Sequence, residues 1–312
     1  MIHVQAAYDL AGALFLGIAV MIARDAASPR RWLKTAFWGL FGVSFLFGDQ
    51  IGNVGNGILV LTLVALGGSG ALSLKNAASP TGPPPRIPPA SVFLPILLVP
   101  ILTFAGTLLL PLVKLGGGPL VETKQVTVIS MAGAVLVGLA VAMIRLRLAP
   151  LAPLREGRRL MELVGWAAIL PQLLAALGAV FALAGVGHAV GDLIGRWLPH
   201  DSRLAVVAVY CIGMAVFTMI MGNAYAAFPV LAAGVGAPLI VGRYGGDAAI
   251  MGAIGMLSGF CGTLMTPMAS HNIIPTALLG LKPGAVIRAQ APTALIVLAA
   301  NIAILDLLVF RA

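Results

Sequence analysis

The chain has 312 residues and a net charge of +9, with 60% hydrophobic residues and only 9% charged ones. Soluble domains carry about a quarter charged residues, so a soluble globule is excluded. Long continuous apolar runs, together with 38 Gly and 21 Pro, also exclude the alternating strands of a β-barrel. The expected class is all-α, a polytopic transmembrane helical bundle of about nine or ten spans, each needing roughly 20 apolar residues, read as a single integral membrane domain.

In chain order the apolar runs fall at about 5–23, 35–48, 57–73, 92–113, 125–144, 163–187, 204–221, 223–242, 248–265 and 290–310. The opening segment MIHVQAAYDL lacks the positive start of a cleavable signal and reads as an uncleaved first span. Arg24, Arg30, Arg31 and Lys34 follow it. A second basic cluster, Arg145, Arg147, Arg155, Arg158 and Arg159, follows the fifth run. Four runs separate the clusters, an even number, so both belong on one side. Short loops rich in Lys and Arg stay inside, so both clusters are expected on the cytoplasmic side and the N-terminus outside. The same rule explains the positive charge without a nucleic-acid partner. The chain thus divides into an N-terminal helical half (1–144), a cytoplasmic basic loop (145–162) and a C-terminal half (163–312). The Pro-rich stretch TGPPPRIPP lies within the loop 74–91, expected inside.

Three segments break the regular pattern. The first runs from Gly48 through Asp49, Gln50 and Asn53 to Gly57. The second runs from Met221 through Gly222 and Asn223 to Pro229. The third runs from Ser258 through Gly259, Gly262, Thr263, Thr266, Pro267, Ser270 and His271 to Asn272, with Pro275 after it. Irregular backbone at membrane depth occurs only where it is buried in protein or lines a cavity. Apolar segments interrupted by Gly and Pro are the best sequence pointer to a transporter's binding site. An opened helix offers its positive N-terminal end to an anion and its freed carbonyls to a cation. Asn223, Thr263, Thr266, Ser270 and Asn272 are therefore the expected substrate contacts, and Gly222, Gly259, Gly262 and Pro267 the residues that open the helices. Whether 223–242 is a full span or a re-entrant hairpin stays open, because the flanking charges fit both.

Ionisable residues inside spans are costly and so mark function by default. Asp9 and Asp306 lie near span ends, where water solvates them. Asp49 adjoins the first break and, with Asn53, is the expected ion-coupling position. His271 can titrate near neutral pH but reads first as a hydrogen-bonding residue beside Asn272. Cys211 and Cys261 make no spaced pair, so no metal site and no cofactor is expected beyond Na⁺ or H⁺ as a coupling ion.

The stretches GMLSGFCGTLMTPMASHNIIP (255–275) and MGNAYAAFP (221–229) resemble an uncharacterised family of bacterial permease-like membrane proteins, a domain of unknown function. Its genes tend to sit beside a second small membrane-protein family and subunits of 5-oxoprolinase. The resemblance implies a permease component for 5-oxoproline or a similar small carboxylate, working with that second membrane protein or as a homo-oligomer. The run Gly262 to Pro267 also looks like the helix breaks of the ion transporter superfamily, whose inverted repeats build one midplane site; on that likeness the first and second breaks are loose repeat equivalents.

The expected function is a secondary transporter, or a subunit of one, moving a small organic anion with Na⁺ or H⁺, and not an enzyme. Two alternatives are a non-transporting structural subunit and a membrane-embedded enzyme using His271 with a carboxylate.

Overall fold

Apolar helices dominate the chain because, without water, only intra-segment hydrogen bonds satisfy the backbone. The structure is a computed structural model that describes residues 2–70, 72, 89–115, 118–195, 202–269, 271–273, 276 and 281–311. Eight of its helices are long and apolar enough to cross a membrane, as expected of an all-α polytopic bundle. The chain splits into two units, Met1–Trp166 and Ala167–Ala312.

Unit 1 contains α1 (Gln5–Arg24), α2 (Arg31–Gly68), α3 (Pro89–Leu109), α4 (Val126–Arg145) and α5 (Ala152–Val164). Straight, the 38 residues of α2 extend ~57 Å at ~1.5 Å per residue. Yet Arg30 Nη1, at its start, donates to Ser69 O, just past its end, at 2.9 Å. The helix is folded back on itself. The reversal occurs at Gly52, whose φ of 71° with ψ of 174° is a backbone state that a Cβ strongly disfavours. Asn56 Nδ2 donates to Gly48 O at 2.6 Å across the turn. The two runs expected at 35–48 and 57–73 are therefore the arms of a helical hairpin.

The first arm packs antiparallel on α1 through a small-residue seam. A Cβ on Gly42 meets Gly12 O at 3.0 Å and Leu16 Cγ at 3.1 Å. Such residues let backbones approach closely where lipid removes any hydrophobic drive between helices. Phe15, Phe37, Trp38, Phe41 and Phe45 stack beside the seam. In turn α3 and α4 pack antiparallel, with Gly106 against Ser130 and Gly138 against Pro95 and Val99. The short strands β1 (Lys114–Leu115) and β2 (Gly118–Pro119) join them. The N-terminal residues pair with the stretch before α4, Ile2 N donating to Leu120 O at 2.7 Å and Glu122 N to Ile2 O at 3.0 Å.

These contacts fix the two ends of unit 1. The N-terminus, the α2 turn and residues 113–115 and 118–122 share one end; both basic clusters share the other. Arg158 Nη2 bonds Asp25 Oδ2 at 2.6 Å, and Lys34 Nζ bonds Glu162 Oε1 at 3.0 Å. The even number of crossings counted between the clusters is thereby realised in ion pairs. One expectation changes: 145–162 is not simply a loop, because most of it is α5, an amphipathic helix whose Arg158 and Glu162 face the ends of α1 and α2.

Unit 2 contains α6 (Leu170–Leu183), α7 (Val186–Gly195), α8 (Arg203–Met221), α9 (Ala224–Leu231), a π-helical run (Ala232–Arg243), α10 (Ala248–Leu264) and α11 (Pro283–Val309). The α9 and π-helical segments form one uninterrupted helical run from Ala224 to Arg243, long and apolar enough to cross a membrane and without the turn of a helical hairpin. It is wound wide over its C-terminal part, with Pro238 inside. Its companions α6 and α7 run parallel to it, with backbones in close approach at Gly187, Gly191 and Gly234. Besides the eight, α10 is a shorter apolar helix, and the folded α2 supplies two apolar arms. The core of unit 2 is Tyr210, Met214, Val230, Leu231, Val235, Ile240, Met251, Leu298 and Leu305.

Candidate functional site

Helices α8 and α10 run parallel and side by side, joined through glycines. A Cβ on Gly255 meets the Tyr210 ring, one on Gly259 meets Met214 and Ala224, and one on Gly262 lies 2.2 Å from Ala215 O. Gly259 and Gly262 were expected to open the helix. Instead α10 is unbroken through Leu264, and these glycines are packing positions that admit a neighbouring backbone. The break comes after them, at Met265, Thr266 and Pro267, because Pro267 supplies no N–H to continue the ladder.

This parallel packing brings the second and third broken segments together. The C-terminus of α8 ends at Gly222, whose φ of 75° is a left-handed cap; a Cβ there meets Met268 Cβ at 3.0 Å and Met268 O at 3.2 Å. Asn223 Oδ1 accepts from Tyr225 N at 2.8 Å and so caps the start of α9. Thr266 Oγ1 donates to Met219 O at 2.8 Å, tying the break to the last turn of α8. The ends of α8 and α10 and the start of α9 thus meet in one place.

The centre of the break is Asn272. It is 2% exposed, and its Nδ2 donates to Thr263 O at 2.9 Å and Thr266 O at 2.8 Å. These are carbonyls that the end of α10 leaves without intrahelical partners. Its Oδ1 is buried with no hydrogen-bond partner. His271 Nε2 lies 3.2 Å from Thr263 O, while Thr276 Oγ1 donates to Asn272 O at 2.6 Å. The Thr263 hydroxyl is turned back onto Phe260 O at 2.7 Å, so Thr263 contributes its carbonyl to the centre, not its side chain.

Asn301 Nδ2 on α11 points to Cys261 Sγ at 3.8 Å, which sets the antiparallel register of α10 and α11. Continuing it places Thr266 beside roughly residue 296 of α11.

Of the sequence-predicted residues, Gly222, Asn223, Thr263, Thr266, Pro267 and Asn272 come together here. Ser270 and Pro275 lie outside the described residues. Asp49 and Asn53 are in unit 1, both exposed on the α2 turn. Sequence reasoning missed Met219, which acts through its carbonyl alone, and Thr218, fully buried with its Oγ1 unpartnered. The signal for Thr218 was its place in the last turn before Gly222. Among the described residues no group of three or more His, Cys, Asp or Glu could hold a metal ion.

Neither a curated protein nor a solved structure matches the chain. A family described as "Protein of unknown function (DUF979)" matches residues 5–310. With nearly its whole length covered, this chain of apolar, membrane-length helices belongs to that family of proteins of unknown function.

Proposed function

We propose that this protein is a secondary transporter, or the essential subunit of one, that moves a small organic anion together with Na⁺ or H⁺. The observation that carries the reading is the meeting, in one place, of two helix C-termini (α8 and α10) and one helix N-terminus (α9). Each terminus carries about half an elementary charge, negative at C-termini and positive at N-termini. A carboxylate suits the start of α9 at Asn223, where one of the first-turn N–H groups is taken by Asn223 itself. A cation suits the carbonyls around Asn272. No buried Arg is needed to hold the anion. The coupling role assigned in sequence to Asp49 and Asn53 is not carried into this reading, since both side chains are exposed on the α2 turn. The substrate proposed first is 5-oxoproline, with a second small membrane protein or a second copy of this chain as partner. We orient the basic end of unit 1 toward the cytoplasm, with the N-terminus outside, in a bacterial inner membrane.

One fact favours a second reading, a scaffold subunit: both Asn272 N–H groups and the Thr266 hydroxyl are spent on backbone carbonyls of the junction. The test is uptake of labelled 5-oxoproline into vesicles holding this chain, alone and with its partner, under an imposed Na⁺ or proton gradient. A carrier loses uptake on Asn223→Ala or Asn272→Ala while remaining folded; with a scaffold, variants that remain folded keep wild-type uptake.

A further inference from the structure

The Asn272 amide is satisfied on one side only. Its two N–H groups bridge Thr263 O and Thr266 O at 2.9 and 2.8 Å, and its Oδ1 is buried and unpartnered. A buried polar atom left without a partner is destabilising. Rotating the amide by half a turn exchanges nitrogen and oxygen at almost no steric cost. Oδ1 then faces the two carbonyl oxygens, an arrangement that is repulsive by itself and favourable around a cation.

We propose that Asn272 is a cation latch: its N–H groups close the break when no ion is bound, and its flipped Oδ1 joins Thr263 O and Thr266 O as ligands to Na⁺. The proposal rests on the reading of the chain as a cation-coupled carrier and picks Na⁺ over H⁺. Three features fix the ion class. All three ligands are neutral carbonyl oxygens of the kind that replace the hydration shell of a monovalent ion. No carboxylate joins them among the described residues, and hard divalent ions favour carboxylate-rich cages. The site caps the C-terminal end of the 17-residue α10, whose dipole favours positive charge.

The latch also supplies a link to motion. When the amide flips, the hydrogen bonds holding Thr263 O and Thr266 O are replaced by bonds through the ion. Thr266 is tied by its hydroxyl to Met219 O and therefore to the end of α8 and the start of α9. Ion binding at Asn272 thus bears directly on the helix start that the anion would use.

The experiment is saturable binding of radiolabelled Na⁺ to the purified full chain in detergent, alongside its thermal midpoint in NaCl and in N-methylglucamine chloride at equal ionic strength. Expected are displaceable Na⁺ binding and a midpoint that climbs with Na⁺ concentration, both lost in Asn272→Ala. If Asn272→Ala does not fold, Asn272→Asp decides. It keeps an oxygen ligand and loses the N–H bridge, so a latch predicts a variant stable only with Na⁺ present, whereas a mere hydrogen-bonding cap predicts equal destabilisation in both salts. Absence of saturable Na⁺ binding in the wild-type chain overturns the latch. Na⁺ binding without 5-oxoproline uptake leaves the latch standing and sinks the substrate reading; uptake driven by protons without Na⁺ binding does the reverse.

Discussion

Replacing Gly262 by Ala probes the contact that builds the site. The added Cβ lies 2.2 Å from Ala215 O, with Ala215 C and Cα both at 2.9 Å. The obstacle is backbone, so no rotamer relieves it, and α8 and α10 must part by about 1 Å to reach van der Waals distance. Overpacking of this kind costs about 1–3 kcal/mol. Separation on that scale also stretches the Thr266 Oγ1 to Met219 O bond, now 2.8 Å, beyond hydrogen-bonding range and removes roughly another 1 kcal/mol. The expected loss is about 2–4 kcal/mol, read as a lowered unfolding midpoint in detergent. Gly133→Ala is the control: nothing lies within 4 Å of its Cβ position, and better helix propensity makes it neutral or stabilising by up to about 1 kcal/mol. Equal midpoints for the two variants would refute the parallel packing of α8 on α10.

Other outcomes follow from the same contacts. Thr266→Val, which keeps the shape but removes the hydroxyl, leaves Met219 O short of a partner and lowers stability by about 1 kcal/mol, measured by thermal unfolding in matched detergent. Glu162→Gln weakens the bond to the buried Lys34 and costs about 1–3 kcal/mol, below the range for fully buried pairs because Glu162 stays partly solvated; proteolysis at the 145–151 turn reports the loosening of α5. The Arg158 guanidinium, and next the Ala27 N–H, hold the Asp25 carboxyl below its ordinary 3.8. Its stabilisation is therefore complete above that value and disappears as pH falls through the lower folded value; an acid titration of unfolding shows this transition in the wild type and not in Asp25→Asn. Single cysteines placed at Asn53 and Lys124 label from outside the cell with an impermeant thiol reagent, whereas one at Ser28 does not; the reverse pattern overturns the proposed orientation.

Much of this architecture was legible in the sequence because lipid imposes simple rules. Apolar runs and basic clusters gave the order of crossings, and the ion pairs from Arg158 to Asp25 and from Lys34 to Glu162 close the count that parity required. The partners themselves were not legible, since 133 and 128 residues separate them. The helix α5 was hidden by its charges: Arg155, Arg158, Arg159 and Glu162 look like a loop, while the spacing of Leu154, Leu160, Met161 and Val164 among them is helical. At the site, Gly222, Thr266, Pro267 and Asn272 could be chosen because Pro, left-handed Gly and Asn at the end of an apolar run have few uses. Gly259 and Gly262 misled because a glycine that opens a helix and one that admits a neighbour look alike in sequence. The π-helical winding of Ala232–Arg243 leaves no sequence mark beyond its Gly and Pro content.

The claim at the centre is that the junction around Asn272 carries a small carboxylate across the membrane with a cation. The most direct measurement is gradient-driven uptake of labelled 5-oxoproline by reconstituted vesicles, wild type against Asn272→Ala and Asn223→Ala, with and without the partner chain. The account predicts uptake that depends on the gradient and disappears in both variants although they insert and fold. Undiminished uptake in both variants, or none in any folded preparation across a panel of small carboxylates, contradicts it.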